Sequence, residues 1–261
     1  MSAIPVLITL LCLGQSPAES PKADAVASEA SLKALTQRVE NTRVQLTKQT
    51  DLKLKVVAAP VFRYSDELRH IEDAGLWLWT DRGRPAVAMK VERYKPGVHP
   101  RPWLYCFTSL SSELISAEWP DERKYQARKP GVEWKPLDDQ PAKTRPARLV
   151  QMRDIARRFS AEVLDFNNDP RQMRLLSRPL YRQDDGNNGD GALFGFTGTG
   201  TNPDLLLLLE AKVDGGWQYG LVTMTAEGLR VRLSDRLVWD IPHTGGKGTE
   251  FDNWLYFSPR H

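Results

Sequence analysis

The sequence has little cysteine, little net charge and no long apolar run, and each shortage argues against a class of protein. Only two cysteines occur in 261 residues. The net charge of +3 is a small surplus over nearly balanced acids and bases, so composition gives no sign of a polyanionic partner such as nucleic acid. No stretch approaches the roughly 18 consecutive apolar residues that span a bilayer as a helix. We therefore expect a folded protein with no nucleic-acid partner and no membrane span.

The amino terminus carries a short apolar run that predicts an export signal. The run extends from Ile4 to Leu13, and Ser16 and Ala18 follow at the spacing that a signal peptidase favours. We expect residues 1–18 to be a signal peptide and residues 19–28 to be a flexible tether. The protein is then expected in the periplasm, at the cell surface or outside the cell. An uncleaved apolar tail is the alternative.

The two cysteines do not predict a disulfide. Cys12 lies inside the predicted signal, where a lipid anchor is the less favoured interpretation. Removal of the signal leaves Cys106 as the only thiol, so no internal pair can form. Cys106 alternates with Tyr105 and Phe107 in an apolar strand pattern. A buried, inert cysteine is far commoner there than a reactive nucleophile.

The chain also lacks the short motifs that mark common catalytic sites. Its four histidines, at positions 70, 99, 243 and 261, have no metal-ligating neighbour at a recognised spacing. The H-E-x-x-H and G-x-S-x-G motifs are absent, and the strings GFTGTGTNP and GGKGT fail the spacings of phosphate-binding loops. These shortages favour a protein that is not an enzyme. A catalytic triad assembled from distant loops is the alternative.

One loop is a candidate metal site. It is the string DDGNNGDG, in which Asp184, Asp185, Asn187 and Asp190 carry oxygen atoms of the kind that Ca²⁺ prefers. The EF-hand spacing fails, however, and a plain polar turn explains the same residues. We therefore favour the turn, keep calcium as the alternative and expect no other cofactor.

The sequence does contain one pattern that is written twice. The stretch GLWLWTDRGRPAVAMKVE, residues 75–92, matches GALFGFTGTGTNPDLLLLLE, residues 191–210, in its aromatic pair, turn and final glutamate. Both stretches predict an aromatic hairpin. The match continues on either side, where the paired residues are Pro60 and Pro179, Arg63 and Arg182, Asp73 and Asp190, Trp103 and Trp217, and Tyr105 and Tyr219. A period of this size indicates a duplicated domain, because solenoid units span only about 20 to 50 residues.

An amphipathic pattern precedes each hairpin and predicts a helix. The first apolar stripe is Leu32, Leu35, Val39 and Leu46, and the second is Leu149, Met152, Ala156, Phe159 and Val163. We therefore predict an α+β fold of two tandem pseudo-repeats, residues 29–142 and 143–261. Each has one helix packed on an antiparallel sheet of about four to six strands. For the helix from Leu32 to Leu46, a short coiled coil with a partner protein is the alternative to packing on its own sheet.

The two predicted halves differ in one strand. Leu205 to Leu209 is a continuous apolar run, typical of a strand that is covered on both faces, whereas the matching stretch from Val87 to Val91 includes Lys90. This difference predicts a deeper core in the second half.

Several long segments resemble a family of exported bacterial proteins whose activity is uncharacterised. They are LWLWTDRGRP, KPGVEWKPL, ARLVQMRDIARRFSAE, GALFGFTGTGTNPDLLLLLEAK and GGWQYGLVTMTAEGLRVRL. The resemblance covers most of the chain beyond the signal and implies export. It carries no activity, ligand or site residue with it.

Two functional classes follow from these patterns. The first is a non-catalytic exported binding or scaffolding protein, which presents a groove between its halves or pairs through its first helix. The second is a secreted hydrolase whose site is assembled only by the fold. The absence of catalytic motifs favours the first class.

Overall fold

The protein is a β-rich fold, and the predicted α+β class is wrong. The computed structural model describes residues 21–183, 189–212, 215–243, 246 and 248–259. Strands account for 47% of the chain and helices for 12%. Over the described residues there are two helices and four antiparallel sheets. The prediction of one helix on one sheet in each half fails because a second, smaller sheet shares with each helix the task of covering the core.

The first set of elements contains one helix and nine strands. They are α1 (Pro21–Glu40), β1 (Arg43–Leu46), β2 (Gln49–Lys53), β3 (Lys55–Val56), β4 (Phe62–Asp66), β5 (Ile71–Asp81), β6 (Arg84–Tyr94), β7 (Trp103–Ser109), β8 (Ile115–Glu118) and β9 (Lys124–Gln126).

Strand β10 (Lys135–Leu137) links this set to a second set of one helix and nine strands. They are α2 (Arg145–Arg157), β11 (Phe159–Leu164), β12 (Pro170–Gln172), β13 (Arg174–Leu175), β14 (Tyr181–Gln183), β15 (Gly191–Thr197), β16 (Leu205–Ala211), β17 (Trp217–Thr223), β18 (Gly228–Leu233) and β19 (Arg236–Ile241). Strand β20 (Trp254–Phe257) follows the second set.

The two sets build sheets with the same strand order. Outer sheet 1 has the order β2-β1-β8-β9, and inner sheet 1 has the order β20-β7-β6-β5-β3, with β4 also paired to β5. Outer sheet 2 has the order β12-β11-β18-β19, and inner sheet 2 has the order β10-β17-β16-β15-β13, with β14 also paired to β15. The linking strand β10 thus joins the sheet of the second set, and the terminal strand β20 joins the sheet of the first.

The four sheets stack in the order outer 1, inner 1, inner 2, outer 2, with an apolar core in each gap. The first core lies between outer sheet 1 with α1 and inner sheet 1. The last core lies between inner sheet 2 and outer sheet 2 with α2. The middle core joins the two inner sheets through residues such as Leu76 and Leu78 of β5 and Leu193 of β15. The strands of both inner sheets are therefore covered on both faces.

Both helices end earlier than the apolar stripes predicted. Helix α1 ends at Glu40 and α2 at Arg157, while residues 43–46 and 159–164 form strands β1 and β11. In those residues apolar side chains also recur every second position, with Val44 and Leu46 buried in β1. The sequence pattern of these residues fits a strand as well as a helix. Pairing of β1 with β8, and of β11 with β18, selects the strand.

The first helix packs on the protein's own sheet. Leu35 and Val39 are buried in the first core, and α1 contacts β5 and β6. Leu46 lies in β1 and not on the helix. The predicted stripe from Leu32 to Leu46 is therefore not a continuous helical face that a coiled-coil partner could cover.

The predicted boundaries also shift. Helix α1 begins at Pro21, so residues 21–28 are helical and are not a tether. A division between residues 142 and 143 separates β10 and β20 from the sheets to which they belong. Among the described helices none combines the length and the apolar character needed to cross a membrane.

The predicted hairpin β5–β6 is confirmed. Its strands pair from Ile71 with Tyr94 to Asp81 with Arg84. The two turn residues, Arg82 and Gly83, have φ angles of 48° and 86°, as a two-residue hairpin turn of type I′ requires.

Candidate functional site

In the described part of the chain, the interface between the two inner sheets is packed and not open to a ligand. Its middle core is closed by apolar side chains from both sets. A small cavity at one end, lined by Arg84, Trp134 and Tyr181 among others, has room for about one water molecule. The groove that the sequence suggested between the halves is therefore filled by side chains.

A buried ionic cluster crosses this interface at the other end. Lys90 of β6 is 1% exposed, and its Nζ donates to Oδ1 of Asn202 at 2.8 Å. The same nitrogen lies 3.6 Å from Glu92 Oε1 and 3.9 Å from Asp204 Oδ1. Asn202 also donates from Nδ2 to Glu92 Oε1 at 3.3 Å. The turn of hairpin β15–β16 is thereby tied to strand β6 of the other set.

Arg69 extends the cluster toward the surface. Its guanidinium donates to both oxygens of Asp204, at 2.7 and 3.1 Å, and to Glu227 at 3.3 Å. Asp66, which is 1% exposed, lies 3.8 Å away and accepts a hydrogen bond from Thr199 Oγ1 at 2.8 Å. Burial alone would lower the pKa of Arg69, but Asp204 outweighs it and the pKa is raised.

Three tyrosines surround the Glu92 carboxylate. Tyr64 donates to Oε1 at 2.9 Å, while Tyr256 and Tyr94 donate to Oε2 at 3.2 and 3.4 Å. Burial, followed by the negative charge of Glu92, raises the pKa of each of these phenols. The tyrosines therefore stay protonated and act as donors to a buried carboxylate.

A simpler contact joins the opposite hairpin turn to the second set. Arg84, beside the turn of β5–β6, lies 2.9 Å from Glu210 of β16. Tyr181 donates to the carbonyl oxygen of Gly83 in the same turn at 2.9 Å. Glu92 pairs across its hairpin with Ala74, and Glu210 with Gly191. The two glutamates thus hold corresponding positions, and each binds the hairpin turn of the other set.

These contacts hold the two sets together. Lys90, Glu92, Asn202 and Asp204 are all at most 1% exposed. Their charges are satisfied by one another, which is the condition under which buried ions are tolerated.

The predicted calcium loop falls largely outside the described residues. Asp184, Asp185 and Asn187 are not described, whereas Asp190 is. Asp190 accepts hydrogen bonds from Arg182 Nε and Nη2 at 3.0 and 2.6 Å, and from Arg148 Nε at 3.0 Å. Two guanidinium groups thus occupy both oxygens. Among the described residues, no group of three or more His, Cys, Asp or Glu side chains is arranged to hold a metal ion.

The other singled-out residues have ordinary surroundings. Cys106 is fully buried, and burial raises the pKa of its thiol to about 12, so it is the inert cysteine that the strand pattern predicted. His99 contacts the backbone oxygen of Arg101 at 2.6 Å. His261 lies outside the described residues.

An aromatic pocket of about 340 Å³ lies between helix α1 and the start of strand β7. Trp103, Tyr105 and Trp119 line it, together with Arg38, whose guanidinium carbon lies 4.4 Å from the centre of the Trp103 ring. Burial raises the pKa of Tyr105, and Arg38 partly opposes this. The remaining lining residues are Ala34, Gln37, Pro120, Asp121 and Pro259. Such a volume lies at the lower end of the range for small-ligand pockets.

The cation of this pocket has no carboxylate partner. Arg38 donates to the Tyr105 side chain and forms no ion pair with a carboxylate in the described part of the chain. Trp119 is 3% exposed, and its Nε1 is buried without a hydrogen-bond partner among the described residues, as is Nε1 of Trp217 in the second set. The Trp119 nitrogen therefore does not distinguish the open pocket from its closed counterpart.

The corresponding place in the second set is filled. Ser31 of α1 donates to Asp73, and Arg148 of α2 donates to Asp190, which aligns the two helices and sets Ile155 at the position of Arg38. Ile155 is 2% exposed and Trp217 is 0% exposed.

The residues at the rim of the aromatic pocket also differ from their counterparts in the second set. Leu137 of β10 pairs with Trp217, whereas Pro259, just beyond β20, lines the pocket beside Trp103. An arginine and a proline thus replace an isoleucine and a leucine, and a closed core becomes an open pocket.

Two further hollows continue from the aromatic pocket over outer sheet 1. The nearer one is about 410 Å³ and shares Trp119 and Pro120 with the pocket. The farther one is about 500 Å³ and shares Arg43 and Glu118 with the nearer. We call these three adjacent hollows the trough.

The floor of the farther hollow is an array of polar side chains in register. Cross-strand pairing places Arg43, Glu118 and Lys124 in one row and Gln45, Ser116 and Gln126 in the next. In the described part of the structure, none of these six side chains forms a hydrogen bond or ion pair with another residue.

The matching face of outer sheet 2 is engaged instead. There Glu162 contacts Arg232 at 2.9 Å and Arg230 at 3.9 Å, and Arg230 lies 3.6 Å from Asp240. These side chains are satisfied by one another, whereas those of outer sheet 1 are left available to a ligand.

The trough escaped the sequence analysis because no motif marks it. Trp103 and Tyr105 match Trp217 and Tyr219 in the repeat, and the pattern gives no sign that only the first pair lines a pocket. The available signal was the mismatch of Arg38 and Ile155 between otherwise matched helices.

No family model, curated protein or solved structure matches the chain. The candidate site is therefore inferred only from the structure of this chain.

Proposed function

We propose that the protein is a non-catalytic exported binding protein, and that its ligand binds in the trough of outer sheet 1 and the aromatic pocket. The observation that carries the proposal is the contrast between the two sets. Trp217 is sealed by apolar neighbours, whereas its counterpart Trp103 lines an open pocket beside a cation without a carboxylate partner. The same strand order thus gives a closed face in the second set and an open face in the first.

Export and duplication are parts of the same proposal. The apolar run from Ile4 to Leu13 and the resemblance to exported bacterial proteins support export. The equal strand orders of the two pairs of sheets, with Glu92 and Glu210 in corresponding register, support an origin by internal duplication. One copy then keeps a sealed core while the other acquires a binding surface.

A hydrolase is less well supported. The converging carboxylates of the described residues, Asp66, Glu92 and Asp204, are at most 1% exposed and lie inside the interface. The open trough instead presents aromatic rings, amides and separate charges, which suit recognition.

Ligand-dependent thermal unfolding tests the proposal. The purified chain is screened against defined oligosaccharides, peptides and aryl carboxylates. A ligand that binds only the folded protein raises its Tm. We expect at least one of these classes to raise the Tm without being cleaved. The increase should disappear in Trp103→Ala and fall at least tenfold in apparent affinity in Arg38→Ala.

Lys33→Ala is the matched control, because Lys33 is exposed on α1 and does not line the pocket. Its response should equal that of the unaltered chain. If no class binds, or if binding persists in Trp103→Ala, the proposal is wrong. Cleavage of a bound ligand would favour the hydrolase.

A further inference from the structure

We infer that the ligand of the trough is a neutral oligosaccharide, with one sugar ring stacked in the aromatic pocket and the following rings over the polar rows of outer sheet 1. The inference rests on the proposed binding function and adds the chemical class of the ligand. Charge, hydrogen-bonding capacity and strand pairing each argue for it.

The charges of the trough favour an uncharged ligand. Three cations line it, Arg38, Arg43 and Lys124, and four carboxylates lie among them, those of Glu40, Glu118, Asp121 and Glu122. A polyanion that is attracted by the cations would also be repelled by these carboxylates. A polycation that is attracted by the carboxylates would be repelled by the cations. Since like charges brought together cost free energy, neither sign of ligand gains from this surface.

The hydrogen-bonding groups suit hydroxyls. Gln45, Ser116 and Gln126 each carry both donor and acceptor atoms, while Arg43 and Lys124 donate and Glu118 accepts. A sugar hydroxyl is itself a donor and an acceptor, so it can pair with every member of these rows. Within each row neighbouring side chains lie one strand spacing apart, about 4.8 Å, and the two rows lie two residues apart along the strands, about 7 Å. Adjacent strands thus present successive groups to one elongated ligand.

The aromatic pocket completes the requirement. The apolar face of a sugar ring packs on an aromatic face, and Trp103 and Tyr105 line this pocket with Trp119. Trp103 is partly exposed at this pocket, so its ring is within reach of a ligand.

Strand pairing argues against an extended peptide. Strand β8 is bonded on both sides, to β1 and β9. The free edge of β9 is covered, because Gln126 and Arg128 donate their backbone N–H groups to Glu250 and Phe251. A peptide lying beside β9 therefore has no strand edge to extend, and strand addition is the mode that gives peptides most of their affinity on sheets.

Isothermal titration with neutral sugars tests the inference. The probes are β-1,4-linked hexasaccharides of glucose, mannose and N-acetylglucosamine, together with the corresponding disaccharides. We expect one hexasaccharide to bind at least tenfold more tightly than its disaccharide, because only the longer chain reaches the polar rows. Gln45→Ala combined with Gln126→Ala should remove that advantage and leave disaccharide affinity unchanged. Trp103→Ala should abolish binding of both.

Ser160→Ala is the control, because Ser160 is exposed on β11, the strand of outer sheet 2 that corresponds to β1. Its affinities should match those of the unaltered chain.

Two further probes, a proline-rich decapeptide and an aryl carboxylate, distinguish a wrong ligand class from a wrong binding function. If one of them binds with dependence on Trp103 while all sugars fail, the ligand class is overturned and the binding function stands. If a sugar binds equally well in both variants, the trough is not its site and the inference is overturned. If no probe binds, both the inference and the proposed function are overturned.

Discussion

Lys90 of β6 and Leu208 of β16 hold corresponding positions, because Lys90 pairs with Leu76 and Leu208 with Leu193. The apolar run of β16 predicts a strand that is buried on both faces. The lysine in β6 predicts a shallower core in the first set. Lys90 is nevertheless 1% exposed. Its ammonium is compensated by Glu92, Asn202 and Asp204, of which the last two come from the other set. Burial of the charge is possible only because distant residues supply its partners.

At this scale we predict the effect of Lys90→Met. The methionine keeps most of the side-chain volume but leaves two buried carboxylates without their shared cation. We expect a loss of about 3 to 5 kcal/mol in the free energy of unfolding, measured with urea. Lys55→Met, on an exposed strand position, serves as the control and should change stability by less than about 0.5 kcal/mol. A loss below about 1 kcal/mol for Lys90→Met would show that the cluster does not depend on this charge.

Helices α1 and α2 are each bound to their inner sheet by one aspartate, Asp73 in β5 and Asp190 directly before β15. Arg63 donates to both oxygens of Asp73, and Arg182 to both oxygens of Asp190. Ser31 of α1 and Arg148 of α2 complete the contacts. Burial by itself raises the pKa of each aspartate, but these hydrogen bonds outweigh it and hold both pKa values below the ordinary 3.8.

These lowered pKa values predict loss of stability in acid. A carboxyl whose folded pKa is depressed stabilises the protein above its unfolded pKa, and the effect is lost as pH falls through the folded value. We expect the free energy of unfolding to fall below about pH 4, and Asp190→Asn to remove part of this slope. The variant should also cost about 3 kcal/mol at pH 7, because two guanidinium groups lose their partner.

Urea unfolding of Asp190→Asn from pH 7 to pH 2.5 provides the measurement. Asp154→Asn is the control, since Asp154 on α2 is exposed and pairs only with Arg157. A pH slope in Asp190→Asn equal to that of the unaltered chain would contradict the assignment.

The whole molecule is held together by an exchange of strands. Strand β10 follows the first set but pairs with β17, and β20 follows the second set but pairs with β7. Leu255 and Phe257 of β20 fill the first core, and Leu137 of β10 fills the last. Neither half of the chain contains all the strands of its own inner sheet.

We therefore predict that the halves fold only together. Residues 21–142 and 143–259, expressed separately, should lack cooperative thermal unfolding because each exposes a sheet edge and an apolar inner face. Co-expression should restore a 1:1 complex that melts in one transition, as measured by size-exclusion chromatography and calorimetry. As a control, the whole chain is folded first and then cleaved at the same peptide bond. The two fragments should stay associated. Cooperative melting of either half alone would contradict the exchange.

Local pattern alone was enough to locate the two aromatic hairpins. The hairpin β5–β6 is predicted because Thr80 to Pro85 carry turn residues between two apolar stretches, and such turns depend on local backbone conformation. The inert Cys106 followed from its alternating neighbours in the same way. These features need only nearby residues, so the sequence by itself determined them.

The tertiary structure decided whatever depends on distant partners. Residues 43–46 and 159–164 fit a helix or a strand equally well, and pairing with β8 and β18 chose the strand. The exchange of β10 and β20, the compensation of Lys90 by Asn202 and Asp204, and the open pocket at Trp103 each join residues far apart in the chain. Local periodicity carries no information about such contacts, because their free energy arises only when the sheets are assembled.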